Sequence, residues 1–269
     1  MNEKKWEKKN REIRRKIIEM LGEAHGGHYG GSLSCVEILS ALYLKEMRID
    51  PRKPAWPERD RFVLSKGHAC AAYCAILAER GFFPRERLRS FNKLDSPFGM
   101  HPDMHKIPGC DVSSGSLGHG LPIAAGMALA GKLDQKDYRT FVLLGDGECQ
   151  EGVIWEGMMA AACFKLDKLV AIVDRNGVSM DGFTEEIMPL GNLGQKFEAF
   201  GWAVREIDGH DMTAILNTLS AVPFEPHKPN AIIARTVKGK GVSFMENTCE
   251  WHHQEGTPEV TERALIELQ

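Results

Sequence analysis

Residues 141–152, Phe-Val-Leu-Leu-Gly-Asp-Gly-Glu-Cys-Gln-Glu-Gly, decide the fold of this chain. The four apolar residues at the start form a run that is typical of a fully buried parallel strand. Gly145 and Gly147 flank Asp146, so the backbone can turn sharply and approach a ligand without a Cβ in the way. We therefore predict a buried strand that ends at a ligand-binding turn.

The residues that follow complete a strand–helix–strand unit. Residues 151–164 are rich in Ala and Met and predict a helix, and the apolar residues 169–173 predict the next strand. Asp146 and Asn176 would then project from the carboxyl ends of neighbouring parallel strands, where open α/β sheets bind ligands and a helix N-terminus favours phosphate. One carboxylate and one amide oxygen suit Mg²⁺, whose octahedron would be completed by ligand phosphate, water and a backbone carbonyl.

This arrangement resembles the thiamine diphosphate signature, in which a Gly-Asp-Gly turn precedes an Asn. Here Asn176 stands thirty positions after Asp146. A bare Gly-Asp-Gly is also a common turn. It is the strand, turn, helix, strand and Asn in this order that make the resemblance specific.

The composition is that of a globular enzyme domain. The chain has 269 residues, of which 43% are hydrophobic and 26% charged, enough for a sizeable core. The net charge of −3 (34 − 37) predicts neither a nucleic-acid nor a membrane partner. The chain has no apolar stretch of membrane-spanning length and no signal-peptide pattern at its N-terminus. The seven cysteines form no CxxC pair, so we expect buried free thiols and a cytoplasmic location.

Strand and helix patterns alternate along the rest of the chain, which predicts an α/β fold: a doubly wound, mainly parallel sheet flanked by helices. We treat residues 1–269 as one domain, with residues 1–10 as a flexible or helical extension. The basic segment 4–16 is interpreted as a solvated helix face that continues to about residue 23. Ser34 and Glu37 predict a capping box that opens a helix to about residue 46. Further strands are predicted at 61–65 and 231–237, and helices at 69–80, after Gly118, at 195–201 and at 211–221.

Four histidines lie in glycine-rich or irregular segments that lead to one edge of the predicted sheet: His28, His68, His101 and His119. Single histidines are usually surface or core residues, but four in such loops predict a site. Imidazoles suit acid–base work and hydrogen bonding at changing charge because their pKa lies near neutrality.

With these loops included, residues 10–260 resemble the N-terminal, diphosphate-binding half of transketolases. The resemblance rests on five motifs in order: GGHYGGSL, RFVLSKGHA, GMHPD with SSGSLGHG, GDGECQEG with DRNGVSMDG, and TVKGKGVSFMENTCEWHH. The resemblance implies the thiamine-diphosphate-binding fold and a transketolase reaction, in which a two-carbon ketol unit passes from a ketose to an aldose.

The resemblance also implies metal and cofactor contacts. Mg²⁺ would be held with the diphosphate by Asp146, Asn176 and the Val178 carbonyl. Thiamine diphosphate would be contacted at its diphosphate, thiazolium and aminopyrimidine by His68, Ser116, Leu117, Gly118, Gly147, Glu148 and Asn176.

On the substrate side, the resemblance implies that His28, His101 and one of His252 or His253 hydrogen-bond the C1 and carbonyl oxygens of a ketose. The pair His252-His253 stands where His-Gly is usual, and His252 aligns better after Trp251. Glu151 would pair with a glutamate across a subunit interface.

The family's pyrimidine-binding domain, whose glutamate activates the cofactor, has no counterpart before the last residue, Gln269. We therefore expect a separate C-terminal subunit to supply it, in an assembly of two plus two chains that acts on sugars or sugar phosphates. The arginines and serine that grip the sugar phosphate belong to that missing half, so a modified or sulfonated sugar stays open. His119 and Tyr29 also depart from the usual pattern.

Several alternatives remain at this stage. A subunit of a 1-deoxyxylulose-phosphate synthase or of a 2-oxoacid dehydrogenase would share the Gly-Asp-Gly and Asn core. A non-catalytic cofactor-binding protein is a different class. A dinucleotide-binding domain would need a G-x-G-x-x-G turn after its first strand, which is missing. A zinc site at His101 and His105 would need further ligands that the sequence does not identify.

Overall fold

Five parallel strands form the central sheet of the computed structural model, which describes all 269 residues. The strands along the chain are β1 (Gly26–Gly27), β2 (Arg61–Leu64), β3 (Thr140–Gly145), β4 (Leu169–Arg175), β5 (Ala203–Asp208), β6 (Asn230–Arg235) and β7 (Gln254–Glu255). The sheet order is β2-β3-β4-β6-β5, while β1 and β7 form a separate antiparallel pair. The predicted parallel sheet is confirmed.

Ten α-helices surround the sheet: α1 (Glu3–Glu23), α2 (Tyr29–Leu33), α3 (Val36–Ala41), α4 (Cys70–Arg80), α5 (Gly120–Leu133), α6 (Gly152–Cys163), α7 (Thr184–Ile187), α8 (Leu193–Ala199), α9 (Met212–Ser220) and α10 (Pro258–Glu267). Residues 1–10 lie largely in α1, where Trp6 and Asn10 are buried while most of the lysines stay in water. None of the helices combines the length and apolar character that a membrane crossing requires.

The core lies on both faces of the sheet, as a doubly wound fold requires. Alternate residues of β3 point to opposite faces, so Phe141 and Leu143 join one apolar cluster while Val142 and Leu144 join the other. Residues of α1, α3, α4 and α9 pack into the first cluster, and residues of α5, α6 and α8 into the second. Each fully buried Leu or Phe side chain stabilises this arrangement by about 1.5–3 kcal/mol.

The topology brings the ends of β3 and β4 together. These strands pair in parallel with Gly145 opposite Asp174, so the residues just beyond them share one edge of the sheet. Asp146 follows β3 and Asn176 follows β4. The expected juxtaposition of these two residues is therefore confirmed at the level of the strands.

The predicted capping box at Ser34 is wrong. The Ser34 hydroxyl donates instead to Asp174 Oδ2 at 2.6 Å, and Cys35 precedes α3 without a side-chain cap. Glu37 is buried and accepts two hydrogen bonds of 2.6 Å from Arg14. Both side chains are buried, and long-range charged or polar partners satisfy them better there than a local cap. The chain after α3 continues as one π-helical turn at Leu42–Glu46.

Two elements were not predicted, and two further expectations need correction. Neither β5 nor α10 was predicted from the sequence, and α8 begins at Leu193 rather than at Gln195. β5 is an edge strand whose Arg205 and Glu206 are exposed, so it lacks an apolar pattern. All seven cysteines are free, but Cys163 is exposed at the end of α6 rather than buried.

Candidate active site

The turn after β3 holds a buried carboxylate. Asp146 Oδ1 accepts a hydrogen bond from the Gly147 amide at 2.8 Å, and Oδ2 accepts one from the Gly177 amide at 2.6 Å. The Arg175 guanidinium lies 3.3 Å from Oδ2. Burial raises the pKa of the Asp146 carboxyl, while the Gly177 amide and Arg175 act against that rise. The backbone beyond β4 is thus hydrogen-bonded to Asp146, and this bond links the ends of β3 and β4.

Two more oxygens follow β4. Asn176 Oδ1 accepts a hydrogen bond from the Val178 amide at 3.1 Å, which closes a tight turn. The Val178 carbonyl points to Lys238, whose Nζ lies 2.8 Å away. No group of three or more His, Cys, Asp or Glu side chains in the chain could hold a metal ion. A cation here would therefore depend on one carboxylate with amide and carbonyl oxygens, the hard, weakly charged set that fits Mg²⁺.

Lys238 is a candidate functional residue that the sequence reasoning missed. It is buried, and its ammonium donates to the carbonyls of Val178 and Ser179 and lies 2.9 Å from His252 Nδ1. Burial, and then repulsion from Lys66, lowers the pKa of Lys238 to about 8. Its position in the quoted TVKGKG motif was the available indication. A buried cation beside the predicted metal ligands is suited to an anionic ligand.

The segment that carries Lys238 is held by a chain of polar contacts from the opposite side. The Val237 amide donates to His210 Nε2 at 2.9 Å, and His210 Nδ1 lies 2.9 Å from Glu37 Oε2. Burial alone would raise the pKa of Glu37, but the Arg14 guanidinium and His210 lower it to about 2. Glu37 therefore stays ionised and orients His210.

A second buried charge lies beneath the strand ends. Asp174, at the end of β4, pairs with the Lys66 ammonium and accepts hydrogen bonds from Ser34 and Thr236. Burial opposes ionisation of Asp174, but the nearby Lys66 charge holds its pKa below the usual range. Four chain segments meet at this one carboxylate, so Asp174 fixes the positions of residues around the site rather than facing a ligand.

Five histidine side chains lie close together at this site. The His28 ring lies 5.4 Å from His68, 6.0 Å from His101, 5.4 Å from His252 and 4.7 Å from His253, measured between centroids. His68 and His252 lie 5.2 Å apart. The structure thus brings together three of the four histidines that the loop patterns single out. His119 is exposed beside the first residue of α5, and no ring contact joins it to this cluster.

The pKa values of four of these histidines are lowered, which favours neutral imidazoles. Burial lowers the pKa of His28 to about 4, with a further contribution from His253, and lowers the pKa of His252 to about 3. Burial also lowers the pKa of His68 and of His101. At neutral pH each of these rings can both donate and accept a hydrogen bond.

Close approach explains the glycines around His28. A Cβ at Gly30 would lie 2.8 Å from the Lys238 side chain, and a Cβ at Gly31 would lie 3.0 Å from His68 Nε2. His28 Nδ1 and the Ser32 hydroxyl in the same segment are buried without a protein partner. Such atoms are rare in folded proteins and indicate a ligand or water at this place.

The loop before α5 is fastened by Glu148. One Glu148 oxygen accepts from the Gly118 amide at 2.7 Å and from Ser65, and the other accepts from the Gly145 amide at 3.0 Å. Protein donors therefore occupy both carboxylate oxygens, so Glu148 positions the loop that carries Ser116 and Leu117. Both of those residues are exposed, as is Glu151 at the start of α6.

Comparisons with known proteins agree with this geometry. Residues 7–263 match the family model described as "Transketolase, thiamine diphosphate binding domain". The chain is 44% identical over 255 residues to one subunit of the apulose-4-phosphate transketolase of Phocaeicola vulgatus, covering 95% of this chain and 90% of that one. It is also 44% identical over 257 residues to the 6-deoxy-6-sulfo-D-fructose transketolase subunit SqwG of a Clostridium species, covering 96% and 94%.

Solved structures show the same relationship in three dimensions. The transketolase of Campylobacter jejuni matches all of this chain with a TM-score of 0.91 and 32% identity, but the match covers 43% of that protein. In a comparison of sequences, human transketolase is 37% identical over 257 residues, and the match covers 41% of its length. The chain thus spans about two fifths of these longer proteins. Together with the strand-end site and the histidine cluster, these matches show that the chain belongs to the transketolase family, as a thiamine-diphosphate-binding domain.

Proposed function

We propose that this chain is the diphosphate-binding subunit of a transketolase that transfers a two-carbon ketol unit from a ketose to an aldose. The observation that carries the proposal is the convergence of five imidazoles on the edge where Asp146, Asn176 and Lys238 meet. Thiamine diphosphate, when bound, supplies the carbanion chemistry. The protein's task is then to hold the cofactor and to stabilise changing charge on sugar oxygens.

On the cofactor side, Asp146, the Asn176 side chain and the Val178 carbonyl would hold Mg²⁺. The His68 ring, the Gly147 amide and Lys238 would contact the diphosphate. The Lys238 ammonium already lies beside the Val178 carbonyl, so the ammonium and Mg²⁺ would both contact the diphosphate. Ser116, Leu117 and Gly118 would lie against the rings of the cofactor, on a loop that Glu148 holds in place.

On the sugar side, His28, His101 and one of His252 or His253 would bind the C1 and carbonyl oxygens. The lowered pKa values of His28 and His101 keep their rings neutral, so that they can donate to an oxygen that becomes more negative and can exchange a proton with it.

A separate chain would supply the pyrimidine-binding domain. Several large apolar side chains are exposed on the 116–118 loop, on α5, on α6 and just after α6: Leu117, Ile123, Met159 and Phe164. Gly126, on the same helix as Ile123, has open space around it, which permits close packing by a partner. Glu151, at the start of α6, is exposed as well. We propose an assembly of two plus two chains, whose two-fold axis gives two equivalent sites, in a cytoplasm that keeps the thiols reduced.

The donor is proposed to be a ketose with an anionic tail. The names of the two relatives at 44% identity specify apulose 4-phosphate and 6-deoxy-6-sulfo-D-fructose, which carry a phosphate and a sulfonate. The sulfonated alternative therefore stands beside the phosphorylated one. Kinetics with both compounds, and with xylulose 5-phosphate, distinguish them.

The test is reconstitution with a separate C-terminal transketolase subunit that carries the pyrimidine-binding domain. Ketol transfer is measured for this chain alone, for the second chain alone and for the mixture, and light scattering gives the mass. We expect activity only on mixing, at a mass of two plus two chains. Full activity of the lone chain would overturn the split assembly, and a mixture that binds thiamine diphosphate without transferring ketol units would overturn the reaction.

A further inference from the structure

His253 and His28 lie one position beyond the end of a short antiparallel ladder. In this ladder Gly26 pairs with Glu255 and Gly27 pairs with Gln254, so the next opposed positions are His28 and His253. Opposed residues of antiparallel strands carry neighbouring side chains on one face of the ladder. The two rings lie 4.7 Å apart and nearly perpendicular, at 77°. His253 is therefore placed beside His28 by backbone pairing.

His252, by contrast, also contacts groups on the other side of the site, although its ring lies 5.4 Å from His28. Its Nδ1 lies 2.9 Å from Lys238 Nζ, and its ring lies 5.2 Å from His68. Both neighbours belong to the part of the site that would hold the diphosphate. His252 is the last residue of the 3₁₀ turn Glu250–His252 and His253 is extended; of the two rings, only that of His252 contacts Lys238 and His68.

The His253 ring is free to meet a ligand. It is exposed, and no protein group makes a hydrogen bond with its nitrogens. Its neighbour His28 has a buried Nδ1 without a protein partner. The free nitrogens of His253 and the unpartnered Nδ1 of His28 thus belong to rings that lie 4.7 Å apart.

We propose that His253 is a specificity-determining residue, which hydrogen-bonds a ketose hydroxyl beyond the carbonyl held by His28, while His252 serves the cofactor. This inference rests on the proposed function of the chain. An imidazole next to a chain of hydroxyls can donate to one and accept from another. A site built to hydrogen-bond a hydroxyl discriminates against sugars that place it differently, because its own polar group is then left unpaired.

The test uses the reconstituted complex with His253→Gly, His253→Asn and His252→Asn. We measure kcat and KM for apulose 4-phosphate, 6-deoxy-6-sulfofructose, fructose 6-phosphate and xylulose 5-phosphate, and the affinity for thiamine diphosphate by calorimetry. Loss of one neutral hydrogen bond predicts that His253→Gly lowers kcat/KM for the preferred ketose about three- to tenfold, mainly through KM. The ranking of ketoses should change, and cofactor affinity should stay within about twofold.

The conservative variant separates contact from structure. Asn keeps a donor and an acceptor, so His253→Asn should recover part of the loss, while His252→Asn should weaken cofactor binding instead. Unchanged kinetics of His253→Gly on all four ketoses would overturn the assignment, as would a loss of cofactor affinity as large as that of His252→Asn. A wild-type complex without ketol transfer would instead refute the proposed function on which the assignment rests.

Discussion

The two sides of the site are built in opposite ways. On the metal and diphosphate side, Asp146, Asp174 and Lys238 are buried, and protein groups already contact their charged atoms. On the sugar side, His101 and His253 both lie beside His28, and the ring nitrogens of these three make no hydrogen bond within the protein. The first side is preorganised by internal bonds, and the second keeps its donors and acceptors for a substrate. This contrast predicts that substitutions on the first side reduce cofactor affinity or stability, whereas those on the second side reduce turnover.

The largest effect is expected at Asp146. Asp146→Ala removes the only charged ligand proposed for Mg²⁺, so thiamine diphosphate affinity should fall by more than about 100-fold. Loss of a residue that only hydrogen-bonds a metal ligand already costs up to about 100-fold in affinity or activity. Ketol transfer should be abolished. Calorimetry with Mg²⁺ and cofactor checks this, with Asp181→Ala, an exposed aspartate of the following loop, as the matched control. Equal binding by the two variants would refute the metal assignment.

The buried ion pair beneath the site should control stability. Asp174→Asn leaves the Lys66 ammonium buried without its counter-charge, which costs about 3–5 kcal/mol of unfolding free energy. Asp137→Asn is the control, because Asp137 pairs with Lys168 at 2.8 Å on the surface, where a pair contributes below about 1 kcal/mol. Urea unfolding measures both. Similar midpoints for the two variants would contradict the structural role of Asp174.

Substitution on the sugar side should affect turnover and spare cofactor binding. His101→Ala removes one hydrogen bond at a developing charge, which typically costs about 2.7–4 kcal/mol, or a hundred- to thousandfold in kcat/KM. His68→Ala should instead raise the cofactor concentration that activity requires. Steady-state kinetics of the reconstituted enzyme separate the two, with the exposed His105→Ala as the control. Wild-type turnover by His101→Ala would exclude a substrate role.

The smallest effect concerns pH. The pKa of His28 is lowered to about 4, against about 6.5 in an unfolded chain, so unfolding takes up a proton between these values. The stability due to neutral His28 is therefore present above pH 6.5 and is lost as pH falls toward 4. Thermal unfolding between pH 7.5 and 4.5 should show a shallower decline for His28→Asn than for the wild type. Parallel curves would show that burial of His28 does not contribute.

The sequence predicted β3 and β4 but not β5, for a physical reason. β3 and β4 are buried on both faces, so nearly every residue is apolar and the strands were predicted within one or two residues. β5 lies at the edge of the same sheet, and its exposed Arg205 and Glu206 conceal it. The same limit applies to Ser34 and Glu37. Their spacing matches a helix cap, but their partners, Asp174 and Arg14, are distant in sequence.

The histidines show the same division. Glycine-rich surroundings singled out His28 and His68 correctly as neighbours, but they also singled out His119, which the start of α5 turns into solvent. Lys238 had no role from its motif alone, because a lysine acquires one only where burial and neighbouring carbonyls surround it. The roles assigned to these residues toward cofactor and sugar stay predictions.

The sequence by itself determined the parallel α/β sheet, the family, and the placement of Asp146 and Asn176 at adjacent strand ends. These features depend on local apolar patterns and on residues close together along the chain, which a sequence displays directly. Only the tertiary structure decided that Asp174 binds Lys66, that His210 holds the segment of Lys238, and that His252 contacts Lys238 while His253 lies beside His28. Those contacts join distant segments, and they form because burial makes an unpartnered charge or polar group costly.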